Sequence, residues 1–189
     1  MKEQTFEEIL NGIPIESGKA LLKINDRVFI KEPIVEIKNK ATPEAFTIFI
    51  GCQTIGCWQS DGCDGIFGNF PEIVPYISEE MKKLQFENIA KLVEEVIHSF
   101  LESTDFTKRD EAYCDVMNFL DGHDRFIKEK QKFDKYSPDD KSQIRKKYRN
   151  AIEKLDKEAE FLWGYNAPKG GWGNVIDFLK NNLNAKIWK

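Results

Sequence analysis

The segment that begins at Thr42-Pro43-Glu44 most constrains what this chain can fold into. A threonine that can cap, a proline at the first helical position and an acid in the first turn together start a helix. Behind them, Ala45, Phe46, Ile48, Phe49, Ile50, Cys52 and Ile55 occupy nearly the whole helical circumference. A helix that is apolar all round has no face to give to water, so other elements must surround it. It is predicted to end near Trp58, before the glycine-rich segment SDGCDGIFGN. The apolar stretch from Ala45 to Trp58 is too short to span a bilayer, and Gln53 and two glycines interrupt it. The expected fold is therefore mainly α: a single-domain helical bundle, with 42–189 as the helical core and 1–41 as an N-terminal embellishment.

The remaining helices are read from periodicity. Residues 3–10 make a short amphipathic helix through Phe6, Ile9 and Leu10, stopped by Asn11-Gly12. Residues 19–38 admit two readings. The β-branched runs Arg27 to Ile30 and Ile34 to Ile37, split by Pro33, suit a small β-hairpin with Asn25-Asp26 near a turn. A helix through Leu21 and Leu22 is the other. Beyond Pro71 and Pro75, Ser78 is read as the cap of a further helix. Phe86, Ile89, Ala90, Val93, Val96, Ile97 and Phe100 recur at three- and four-residue spacing, the clearest amphipathic pattern in the chain. Residues 110–127 and 141–163 continue in helical register around the turn Tyr136-Ser137-Pro138-Asp139. A last helix runs from Val175 to Leu183, with Asn174 as its cap.

Composition narrows the function. The formal net charge of -4 argues against general nucleic-acid binding by phosphate neutralisation. The opening MKEQTFEEILNG lacks the apolar centre of a signal peptide. With that reading, Cys52, Cys57, Cys63 and Cys114 are reduced thiols, and the expected location is the cytoplasm. Their spacing lacks the two-residue interval of zinc knuckles and no histidine lies nearby, so neither a metal nor another cofactor is expected.

The segment SDGCDGIFGN, followed by FPEIVPYISEEMKKLQFENIAKLVEEVIHSF, resembles the bacterial DNA-mimic-protein family. That family carries the signature N-G-G-F-x-Q-aromatic-aromatic-x-N after its first buried helix. Gly62, Phe67 and Asn69 fall on its second glycine, an aromatic and the final asparagine, whereas Ser60, Asp61, Cys63, Gly65 and Ile66 depart from it. The run Leu155 to Phe161, then Val175 to Leu179, is similar to the family's closing Leu-Asp-x-x-Phe element and last helix. The resemblance covers roughly residues 43–183. It implies an all-helical core, no known catalytic centre and, in some members, an acidic surface that competes for DNA-binding proteins.

An acidic ladder can be drawn from the residues. Glu80, Glu87 and Glu94 repeat every seven residues, and Glu95 and Glu102 do the same. On one helix that interval sets the acids about 10 Å apart on one side. Such a face could attract a basic protein, although a solvated helix surface has the same pattern. With Asp61, Asp64, Phe67 and Asn69 of the glycine-rich segment, these acids are the candidate partner-binding residues. The implied partner is a protein, basic or itself nucleic-acid-binding. The basic run Arg145-Lys146-Lys147-Tyr148-Arg149 reads as a helix laced with i,i+4 pairs, and could also dock on a second copy as a homodimer. No catalytic residue is assigned. The competing reading is a small enzyme or anion binder that uses His123, flanked by Asp121 and Asp124, with the glycine-rich segments 61–65 and 168–174. Trp172, within the second of these, is read as a plug at the core edge.

Overall fold

The computed structural model describes residues 4–29 and 32–189. Among them the chain is a helical bundle with no β-sheet; its extended pairing is confined to the isolated bridges Thr5–Lys186 and Ala41–Trp188. Nine α-helices are formed by these residues: α1 Phe6–Leu10, α2 Gly18–Val28, α3 Ile34–Lys40, α4 Pro43–Cys63, α5 Val74–Lys83, α6 Glu87–Ile97, α7 Glu111–Leu120, α8 Pro138–Trp163 and α9 Gly173–Asn181.

Helix α4 is the axis on which the others pack. Thr42 caps it by accepting a hydrogen bond from the Ala45 amide, while its own hydroxyl donates to the Lys186 carbonyl at 2.6 Å. Phe46, Ile48, Phe49, Ile50 and Ile55 are buried on every side, as an all-apolar helix requires. At Gly51 the neighbours come so close that an added Cβ would lie 2.6 Å from the Leu84 side chain. No helix among the described residues is long and apolar enough to cross a membrane.

The hairpin reading of residues 19–38 is overturned. Helices take the place of strands here: α2 reaches Val28, with Ala20, Leu21, Ile24 and Val28 on one face buried in the common core, and α3 contains the run Ile34 to Ile37. Pro33 stands at the N-cap of α3, where a missing amide costs nothing. Ile30, the end of the first β-branched run, and Glu3, in the predicted 3–10 helix, lie outside the described residues.

Several boundaries also moved. Helix α4 runs past Trp58, kinks at Asp61 and Gly62, whose φ and ψ are non-helical (Gly62 φ 62°), and leads into a π-helical turn, Asp64–Gly68, so the segment expected as a glycine-rich loop is wound on either side of that kink. Ser78 lies inside α5, which starts after the 3-10 turn Pro71–Ile73. Ser137 and Asp140 form a capping box that starts α8 at Pro138, three residues before the expected 141. Helix α9 begins at Gly173, and the Asn174 side chain donates to the Leu84 carbonyl instead of capping.

The core holds few buried polar groups, and Asp115 among them anchors a loop. Asp115, in α7, is 1% exposed and accepts from the amides of Lys128 and Glu129. The Tyr113 hydroxyl donates to the Phe67 carbonyl, and Arg109 Nε donates to the Gly68 carbonyl at 2.7 Å. Together they hold the π-turn against α7.

Candidate functional site

The acids expected to form a ladder do not share one helix face. Glu80 belongs to α5 and Glu87 opens α6, with a break at Gln85, whose φ is 61°. Glu80 is 1% exposed and turned inward, which corrects its place on an outer face. Its carboxylate accepts from the Thr47 hydroxyl at 2.6 Å and from Lys83 Nζ at 2.9 Å. Glu94 is bound by Lys82 and Ser78, and Glu95 by Lys154 of α8. These partners hold both carboxyls below the ordinary carboxylate range, through hydrogen bonding first and charge second. Glu87, Glu102, Asp61, Asp64 and Asn69 are exposed. Phe67 is fully buried, so it belongs to the core and cannot meet a partner directly.

The basic run of α8 is likewise engaged within the molecule. Tyr148 is buried against Phe100, ring edge to ring face, with centroids 5.3 Å apart. Arg145 binds the Phe119 carbonyl and Asp124, and Lys147 binds the His98 carbonyl at 2.8 Å. The expected i,i+4 lacing gives way to bonds with other elements.

His123 precedes a short 3-10 turn, Asp124–Phe126, on an exposed stretch. It lines none of the four concavities discussed below, and no cluster of metal-ligating side chains occurs among the described residues. Asp121 beside it, exposed at the surface, has its carboxyl raised, mainly by partial desolvation and next by the charge of Asp64, against the pull of His123 and Arg149. A raised value in the folded state means that folding favours the neutral acid. The resulting destabilisation grows as pH climbs through the carboxylate range and is relieved below it. Asp121→Asn is expected to be more stable than the parent at neutral pH and to converge with it near about pH 3. Urea unfolding across that range measures this, and a less stable variant at neutral pH would contradict it.

The most distinctive surface is one that periodicity did not mark. Where α8 ends, Trp58, Gln59, Gly62, Glu160, Trp163, Gly164, Tyr165, Gly170 and Trp172 line an open groove of about 780 Å³. Helix α4 contributes its floor. Trp58 donates through Nε1 to Asp156 of α8 at 2.8 Å, which locks α4 to α8. Asp156 also accepts from the Cys63 thiol, whose ionisation is pushed up by burial first and by that bond second. Gln59 spans the groove, donating to the Trp163 carbonyl at 2.9 Å and the Gly170 carbonyl at 2.8 Å.

The wall is built from packed rings. Trp163 stands edge-on to Trp58 and Phe86, with centroids at 6.1 and 5.6 Å. Its indole N–H is buried and has no acceptor among the described residues, an unmet bond of the kind that calls for explanation. The 3-10 turn Pro168–Gly171 covers this ring so closely that a Cβ on Gly171 would lie 2.7 Å from Trp163 Cα. Glycine with φ of 84° is thus required on two grounds.

The rim is open. Tyr165, on the rim, is 98% exposed, and Phe161, in the last turn of α8, is 76% exposed. Trp172 also borders a second, apolar concavity of about 370 Å³, lined by Leu21, Leu22, Cys52 and Gly56. Trp172 is partly buried and packs against the core, at the edge where it was expected, and it borders both concavities. A third concavity of about 280 Å³ lies between Tyr113 and Tyr136. A fourth, shallow and basic, follows Arg145 and Arg149 along α8.

Comparison with family models, curated proteins and solved structures yields no match to this chain.

Proposed function

We propose that this chain is a non-enzymatic protein-binding module that seats a segment of its partner in the tryptophan groove at the end of α8. The observation that carries this reading is the uncovered aromatic Tyr165 on a groove walled by Trp58, Trp163 and Trp172, with Phe161 of the last turn of α8 also left in water. Large aromatics left in water forgo about 1.5–3 kcal/mol each that burial would supply. They are enriched where partners dock. The apolar concavity beyond Trp172 extends the same strip toward Leu22, which is itself 62% exposed. A regulatory or inhibitory role toward a basic protein agrees with the net charge of -4. A cytoplasmic setting agrees with four free thiols.

The test is capture of the partner from cell extract by three forms of the protein. The parent and a Glu87→Gln/Glu102→Gln variant should retain the same partner, while Phe161→Ala/Tyr165→Ala should lose it with no change in melting temperature. Loss with the acid variant and retention with the aromatic variant would refute the groove and favour the acidic face.

A further inference from the structure

The chemistry of the groove points to the kind of side chain it takes, an inference that rests on the partner-binding reading above. Three features of charge coincide there. First, Glu160 is the one charged residue in the lining among the described residues, and it carries no ion pair or side-chain hydrogen bond among them. Second, the groove lies at the carbonyl end of the 26-residue helix α8, whose last turn contains no basic residue. The aligned peptide dipoles leave a fraction of a negative charge at such an end, and it normally draws Lys, Arg or His. Lys169 of the adjoining turn is held toward Asp177, at 3.7 Å.

Third, the surrounding surfaces are indole and phenol rings. Their faces are negative, and a cation over them gains about 0.5–2 kcal/mol. Uncharged apolar ligands would be served by the rings but would leave the Glu160 carboxylate and the helix end unanswered. Anions would be repelled by both. A planar guanidinium matches all three features, because it stacks on rings and binds a carboxylate through two parallel N–H bonds.

We infer that the groove is a receptor for an arginine side chain of the partner, stacked among Trp58, Trp172 and Tyr165 and neutralised by Glu160 at the end of α8. Gln59 is fixed across the groove by its amide donors, which are spent on the Trp163 and Gly170 carbonyls, and its amide oxygen is left as a further acceptor for the guanidinium. A lysine would fit less well, lacking the plane and the fork.

The four tryptophans make the experiment direct. Arginine amide is titrated into protein labelled at its indole nitrogens, and the indole N–H signals are followed by NMR. The Trp58 and Trp172 signals should shift, while that of Trp188, which does not line the groove, stays in place. Citrulline amide, of the same shape without the charge, should require at least about tenfold more ligand for the same shift. Glu160→Gln should abolish the difference between the two. Equal shifts with both ligands, a preference for arginine amide that survives Glu160→Gln, or no shift at the groove signals would each overturn the arginine assignment. The capture experiment separates this from the broader reading: a partner lost with Phe161→Ala/Tyr165→Ala but kept with Glu160→Gln would remove the arginine and leave the groove. A partner indifferent to both would remove the groove as well.

Discussion

Replacing Gly65 with alanine is expected to destabilise the protein by about 3 kcal/mol, the upper range for forcing atoms into a packed interior. Gly65 sits in the π-helical turn Asp64–Gly68 and is buried. A Cβ there would overlap the Cys57 carbonyl group, lying 2.8 Å from its carbon and nearer still to its oxygen. Both obstacles are backbone, so no rotamer change can clear them. Relief requires the π-turn to pull away from α4, which would also strain the bond between the Tyr113 hydroxyl and the Phe67 carbonyl. Gly56 provides the contrast. It lies on the same helix with nothing within 4 Å of the corresponding Cβ position. Gly56→Ala should raise stability by about 0.5–1 kcal/mol, the usual helix-propensity gain. Urea unfolding of both variants measures the pair, and equal midpoints would show that the close approach at Gly65 is not structural.

Lys83→Met is expected to cost about 2 kcal/mol, whereas Glu80→Leu should fall within about 1 kcal/mol of the parent. The asymmetry follows from what each change leaves behind. Removing Lys83 leaves the Glu80 carboxylate in the interior with only the Thr47 hydroxyl as donor. Lys83 is itself 37% exposed, so water screens part of the pair and the cost stays below that of a fully enclosed one. Removing Glu80 strands neither partner. The Thr47 hydroxyl still reaches the Pro43 carbonyl at 2.9 Å, and Lys83 still reaches Glu79 at 2.9 Å. Leucine then occupies a position that is already buried. Unfolding free energies of the two single variants decide the matter, and a larger loss for Glu80→Leu would show that the carboxylate is required for its own sake.

The case of Glu80 shows why the acidic ladder was misread. Seven-residue spacing places side chains on one side only if a single helix carries them. Gln85, with its positive φ, ends α5 and lets α6 start in a new direction. Nothing in the residue types of Leu84-Gln85-Phe86 marks that break. The same holds for SDGCDGIFGN: its glycines resemble a loop, yet they allow a tight π-turn that extends α4. Glu94 and Glu95 were legible as polar positions, but their partners Lys82 and Lys154 come from other helices and have no local signature.

What the sequence by itself determined is the burial of α4 and the helices beyond it, while residues 19–38 stayed open between a hairpin and a helix. These follow from local chemistry: the cap at Thr42, the proline behind it and the period of apolar residues. The tertiary structure alone decided where three tryptophans meet. Trp58, Trp163 and Trp172 are far apart in the chain and each looks like a core residue in its own segment. They become a groove because α4 crosses the end of α8 and the turn 168–171 folds back over Trp163. Helix formation is a matter of neighbours within four residues, and a site is a matter of which helix ends come to rest together.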